Sequence, residues 1–255
     1  MNDEITCVVM QPTYLPWLGY FDLMDQCSVF VFLDNVLFSK QSWQQRNRVK
    51  TSRGLEWLTV PVRNKGIPKQ YISEVEVIRS PAFPKDHIRS IELNYARTRH
   101  FATFFPDFRD LLSAPEKSLC RLNIELVTWV AKILGIKTTL VLASELGVTG
   151  ERSHLLVDLC KRVCARTYLS TFGSLAYLSQ EYGIFDEHGV KLLIHHYEHP
   201  EYRQLFKPFI PYASVIDLLF NEGERSLEII RSGRKNSFSI EEALSRSGNV
   251  PSQCE

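Results

Sequence analysis

Near its start the chain reads Gln11-Pro12-Thr13-Tyr14-Leu15-Pro16-Trp17-Leu18-Gly19-Tyr20-Phe21, a proline-shaped loop that runs into a segment with helical spacing. A helix that begins just beyond a strand offers unpaired backbone N–H groups and the positive end of its dipole, which suit a phosphate or carboxylate. Gly19 falls in the first helical turns, where a missing side chain would let a nucleotide approach. The plainer alternative is that Pro12, Pro16 and Trp17 only shape and pack a tight turn. Spacing leaves both open.

A second constellation is Lys40, Gln41, Trp43, Gln44, Gln45, Arg46, Asn47, Arg48 and Lys50. Cations interleaved with amides and an aromatic suit phosphate and sugar hydroxyls, and arginine grips phosphate bidentately where lysine cannot. A solvated basic edge is the competing reading. Asp34, at the end of an apolar run, can bind a ribose hydroxyl, an ammonium or Mg²⁺, or can cap a turn. The turn Ser170-Thr171-Phe172-Gly173-Ser174 can hold phosphate through N–H groups and hydroxyls. Asp217 and Asn221 are four apart and share a helix face, for ligand or for packing.

His195-His196-Tyr197-Glu198-His199 invites a metal. Neighbouring strand residues point to opposite faces, so His195 and His196 cannot both face one ion. His196 and Glu198 make only two ligands, and a structural zinc needs about four. The expectation is no metal.

The elements that must position these groups are legible as patterns. Ile5–Met10 and Ser28–Asp34 are unbroken apolar runs, as strands buried on both faces require. Trp17–Gln26 lies between them, making a strand-loop-helix-strand unit. Glu56–Val62 and Glu74–Ile78 read as strands, and Phe83–Arg97, His100–Ser113 and Glu116–Leu134 as helices, the last capped by Gly135. Thr138–Leu142, Thr167–Ser170 and Val190–His195 are further strands, and Arg152–Cys164 and Ser214–Asn221 further helices. The prediction is one α/β domain over 1–231, with a Rossmann-like, mostly parallel sheet, flanking helices and a helical insertion near 83–135. From about Ser232 the pattern lapses and a loose tail, 232–255, is expected.

Thirty Lys and Arg against 29 acids leave no global field to draw nucleic acid or anionic membrane, so an anionic ligand needs a local cluster. Six scattered cysteines with no CxxC pair, several of them inside apolar runs, read as reduced core thiols. The acidic start and short apolar runs predict no signal peptide and no membrane insertion, hence a cytoplasmic protein.

The stretch MQPTYLPWLGYFDLMDQCSVFVFLDNVLFSKQSWQQRNRVK, followed by WLTVPV, resembles the opening signature of the WbqC-like family. YLSTFGSLAYL, HHYEHPEYRQ and SVIDLLFNEG resemble its later signatures, in order, so the likeness spans roughly the first 230 residues. The resemblance implies a role in O-antigen and related surface-glycan biosynthesis. Some members are named glycine transferases, which implies acylation of an amino sugar on a nucleotide carrier by a small amino-acid donor. It also implies site roles for Gln11, Pro12, Tyr14, Trp17, Gly19, Tyr20, Ser170, Gly173, Tyr177, Tyr202 and Gln204. His199, within His199-Pro200-x-Tyr202-x-Gln204, becomes the candidate general base, since an ordinary histidine pKa near 6.5 suits proton removal. ATP with Mg²⁺ would be the cofactor if an aminoacyl-adenylate is made in place.

A weaker similarity is to the nucleotidylyltransferase type of fold. Its paired histidines are missing here, with Pro16 and Tyr20 at their positions, so a cationic phosphate donor is lost. Three activities follow as expectations: amide formation on a nucleotide amino sugar, nucleotidyl transfer to a sugar phosphate, and non-catalytic nucleotide-sugar binding.

Overall fold

In the computed structural model, which describes residues 4–67 and 69–246, strand β1 (Thr6–Met10) lies at the centre of a five-stranded parallel sheet. Helix α1 (Leu18–Asp25) leads to β2 (Val29–Phe32), and a hairpin of β3 (Arg46–Thr51) and β4 (Gly54–Thr59) follows. Helices α2 (Lys85–Tyr95), α3 (Phe101–Ser113) and α4 (Leu119–Leu134) come next, before β5 (Thr139–Leu142). Then come α5 (Arg152–Arg162), β6 (Thr167–Ser170), α6 (Leu175–Glu181), α7 (Gly183–Glu187) and β7 (Lys191–Ile194). The last helices are α8 (Val215–Glu222), α9 (Ser226–Ser232) and α10 (Ile240–Arg246).

The strand order is β5-β2-β1-β6-β7, every pairing parallel. This is the expected Rossmann-like α/β sheet, buried on both faces as the unbroken apolar strands require. Val8, Phe30, Phe32 and Leu169 face a core shared with α1, α3, α4 and α8. Cys7, Val9, Val31, Tyr168 and Ile194 face the opposite core, built with α5, α6, α7 and α10. Gly135 ends α4 at φ 72°, a left-handed cap that a β-carbon would strain.

Three expectations need correction. Glu74–Ile78 is no strand; only single bridges, Val62 to Val77 and Glu76 to Ser118, hold it. Cys164 is an exposed thiol just past α5, whereas Cys7, Cys27, Cys120 and Cys160 are buried and free. The loose tail from 232 is instead structured through Arg246. Phe238 pairs with Ile194 at the edge of β7, and Ile240 and Ala243 bury one face of α10. That face is short, so its periodicity is hard to see. Residues 247–255 of the expected tail, Cys254 among them, lie outside the described residues.

Candidate functional site

The chain moves outward from β1 through β2 to β5, then resumes on the other side of β1 with β6 and β7. The connections after β1 and β6 therefore part in opposite directions and open a crevice at their carboxyl ends, where α/β sheets bind ligands. The Gln11–Trp17 loop leaves β1 at that point, and the Ser170–Ser174 turn leaves β6.

Long-range hydrogen bonds clamp the loop. Asn47 Nδ2 donates to the carbonyls of Tyr14 (3.2 Å) and Leu15 (2.8 Å). Asn123 Nδ2 reaches those of Pro12 (3.1 Å) and Gln44 (2.8 Å), and Gln44 Nε2 reaches Gln11 Oε1 (2.8 Å). Backbone bonds join Tyr14 to Trp43 and Val215 to Pro16. These contacts hold Leu15 at φ 46°, left-handed backbone that costs a branched residue about 1–3 kcal/mol.

Much of this loop faces inward. Tyr14 is buried with its hydroxyl 2.9 Å from His87 Nδ1, and buried Tyr20 donates to the Gln11 carbonyl at 3.2 Å. Pro12 and Pro16 are also buried. Gly19 does not leave room for a nucleotide, because a β-carbon there would sit 2.3 Å from the Trp17 indole. The glycine makes space for that ring. Gln11 is left exposed, with Trp17 half-buried beside it.

The basic cluster divides by strand alternation. Asn47 is buried against the loop, while Arg46 and Arg48 share the other face of β3. Trp57, opposite Arg48 on β4, is 45% exposed. The Arg46 guanidinium lies 4.1 Å from its ring centre, and that of Arg48 lies 5.4 Å from it and 5.6 Å from Trp43. Each such contact stabilises by about 0.5–1 kcal/mol at an exposed site. Neither arginine forms an ion pair among the described residues, and the Nε of each is buried without a hydrogen-bond partner. Lys40 is exposed nearby. Lys50 runs inward, its Nζ donating to the Pro208 carbonyl at 2.7 Å, and leaves the cluster.

The histidine segment enters from β7 with the expected alternation. His195 reaches Asp22 on α1 (Nε2 to Oδ2, 2.7 Å), while His196 stacks on Phe238 across the sheet. His199 stacks on Trp17 (6.2 Å, 14°) inside a box that includes Tyr202, Phe209 and Tyr212. Its Nδ1 meets the Pro200 carbonyl at 2.9 Å, while Nε2 is buried without a partner among the described residues. Burial pushes its pKa down to about 4. The ring is thus neutral at pH 7, with Nδ1–H donated and the Nε2 lone pair free. As the expected general base it is weak, since a good proton acceptor has a pKa near the working pH.

Other expected site residues serve the scaffold. Asp34 is buried, and its two oxygens accept from Ser144, through its amide (2.9 Å) and hydroxyl (2.6 Å), a contact of the turn-capping kind. Asp217 is buried and accepts from Tyr95 Oη (2.9 Å), Tyr202 Oη (2.7 Å) and Gln204 Nε2 (2.9 Å). Burial raises its pKa against those donors. Tyr202, Gln204 and Asp217 therefore fasten the 202–214 segment to α8. Asn221 donates to the Asp217 carbonyl at 2.7 Å, which is packing within α8. Ser170 is buried at the tip of β6, and Gly173 is open, with no atom within 4 Å of the place a β-carbon would take. Tyr177 lines a depression of about 450 Å³ with Arg152, Ala176 and Gln180, between α5 and α6.

Sequence reasoning missed Trp57, Asp22 and Arg234. Asp22 carried a signal, being an acid inside Leu18-Gly19-Tyr20-Phe21-Asp22-Leu23-Met24, all buried in the fold. Trp57 and Arg234 had none, because the partners that define them lie elsewhere in the chain.

Contacts link the three expected stretches to the Gln11 loop and to the end of β6. Asn47, between Arg46 and Arg48, bonds the loop, His199 stacks on Trp17, and the His195 amide donates to the Ser170 carbonyl at 2.7 Å. A five-stranded parallel sheet flanked by helices, with a clamped loop on its central strand, defines a Rossmann-like α/β protein. Within that class the chain belongs to the WbqC-like protein family, whose model matches residues 11–229. It is similar to the uncharacterized protein Rv1507c of Mycobacterium tuberculosis (strain ATCC 25618 / H37Rv), with 33% identity over 229 residues covering 89% of this chain and 98% of that protein. No solved structure matches the chain. No helix among the described residues is long and apolar enough to cross a membrane.

Proposed function

We propose that this protein is a cytoplasmic enzyme of surface-glycan biosynthesis that acylates an amino sugar on a nucleotide carrier with a small amino acid such as glycine. The observation that carries the reading is a pair of arginines with no ion-pair partner among the described residues, on the hairpin whose Asn47 clamps the loop that His199 stacks upon. Arg46 and Arg48 would hold the diphosphate bidentately, with Trp57 and Trp43 keeping the guanidiniums flat. His199, stacked on Trp17, would hold that ring and the loop in place beside the sugar. The amine nitrogen attacks the carbonyl carbon of an activated aminoacyl donor. A C–N bond forms, the C–O bond to the leaving group breaks with its electron pair, and the nitrogen loses a proton. With an aminoacyl-adenylate made from ATP, the leaving group is AMP.

Nucleotidyl transfer is less well supported, because Pro16 and Tyr20 are buried and offer no cation over the loop. The test is incubation with UDP-glucosamine, glycine and ATP, followed by mass spectrometry. A glycyl amide of the nucleotide sugar supports the proposal. Pyrophosphate release from a sugar phosphate and nucleoside triphosphate, without amide, would replace it with nucleotidyl transfer. Binding of the nucleotide sugar with no product would leave a non-catalytic module.

A further inference from the structure

Opposite His199 across Trp17 lies a histidine whose surroundings suit proton transfer far better. We infer that His195 is the proton acceptor of this site and that Asp22, backed by Arg234, is its positioning residue; the inference rests on the amide-forming reading above. His195 follows β7 directly, its amide bonded to the Ser170 carbonyl, so it stands on the rim beside the crevice between β1 and β6. Its ring stacks on Tyr197 (5.8 Å, 16°), and Tyr197 meets Trp17 edge-on at 5.6 Å. An aromatic path therefore joins His195 to the loop.

Asp22 determines which ring nitrogen carries the proton. Its Oδ1 accepts from Arg234 Nε at 2.9 Å, and its Oδ2 accepts from Gln26 Nε2 at 2.6 Å and from His195 Nε2 at 2.7 Å. Arg234 also bonds Asp25, which Arg231 pairs bidentately, so the guanidinium is fixed from two sides. A carboxylate facing a guanidinium is an acceptor only, so the hydrogen shared with His195 belongs to Nε2. In the neutral ring the lone pair is then on Nδ1, which makes no hydrogen bond among the described residues. Asp22 is fully buried and His195 only 6% exposed, so their hydrogen bond is shielded from water.

His87, by contrast, has both ring nitrogens engaged, with Tyr14 and the Thr59 carbonyl. His195 has one engaged and one spare. In the transfer step, the proton leaving the amine nitrogen goes to Nδ1 of His195 while Nε2–H stays directed at Asp22. The Tyr197 hydroxyl is buried without a partner among the described residues. It lies beside His195 and supplies a further polar contact at the same place.

Two measurements test this. In ¹⁵N-histidine-labelled full-length protein, two-bond proton–nitrogen correlations should show His195 as the Nε2–H tautomer. UDP-glucosamine should shift its Nδ1 resonance. Asp22→Asn, whose amide can donate to Nε2, should move the proton to Nδ1. An Nδ1–H tautomer in the wild type, or an Nδ1 resonance unmoved by saturating UDP-glucosamine, would overturn the inference whatever reaction the protein performs. In the glycyl-transfer assay, His195→Gln should lower kcat by about 10²–10⁴-fold with little change in KM. Asp22→Asn should lower kcat and move its pH profile. A His195→Gln enzyme with kcat within twofold of wild type also overturns it. If the wild type forms no amide, the reaction reading fails and the NMR result alone decides the role of His195.

Discussion

Replacing Gly19 with alanine separates two explanations of why a glycine opens α1. If it leaves room for a nucleotide, alanine should weaken ligand binding and leave the free protein intact or slightly more stable, since alanine is favoured over glycine in a helix by about 1 kcal/mol. The geometry says otherwise. The new β-carbon would lie 2.3, 2.5 and 2.8 Å from three ring carbons of Trp17, where carbon atoms pack at about 3.5–4.0 Å. The indole must move by roughly an ångström, and with it go the contacts to Tyr197, His199 and Tyr212. Overpacking of this kind costs about 1–3 kcal/mol. Set against the helix gain of about 1 kcal/mol, the expected net loss is up to about 2 kcal/mol. For a domain of this size that lowers Tm by up to about 4–8 °C. Urea denaturation followed by circular dichroism gives the free energy, and tryptophan fluorescence reports the ring. His199 should also titrate closer to the ordinary histidine value as its box loosens. An alanine variant at least as stable as wild type, with unchanged emission and unchanged His199 titration, would refute the packing argument.

Arg46→Ala should weaken a nucleoside diphosphate by about 1.5–3 kcal/mol, seen by calorimetry as a salt-dependent loss of roughly 10- to 150-fold, and unchanged affinity would remove the hairpin from the site. Asp217→Ala strands the Tyr95, Tyr202 and Gln204 donors and an inward-facing Lys50. A loss of about 3–5 kcal/mol in urea denaturation is expected, and one below about 1 kcal/mol would show that the network holds nothing. Acid should weaken the fold before the carboxylates titrate. Burial depresses buried His87 to about 4, so the unfolded chain takes up a proton first, near 6.5. Stability is therefore full above about pH 6.5 and falls towards pH 4, by up to about 3 kcal/mol from this ring, with His199 acting in the same direction. Urea midpoints that stay level between pH 7 and pH 4.5 would contradict it.

Much of the architecture was already present in the order of residues. Val8, Val9, Phe30 and Val31 are apolar without alternation because helices cover both faces of their sheet, and that pattern needs no knowledge of the partners. Gly135 marked the end of α4 for an equally local reason, the left-handed backbone of its cap. Local pattern also placed the Gln11 loop at a strand end and kept His195 and His196 on opposite faces. It failed where an assignment depended on a distant partner. The bonds of Asp34 and Asp217 could not be read locally, because Ser144 is 110 residues away and Tyr95 is 122 residues away. Asp22 looked like one more helix acid until His195 and Arg234, 173 and 212 residues away, closed around it. Periodicity records which face of an element is dry, and that is a property of neighbouring residues. Whether a carboxylate, an imidazole or a guanidinium is spent or spare depends on the group opposite it, and only the folded chain brings that group within hydrogen-bonding distance.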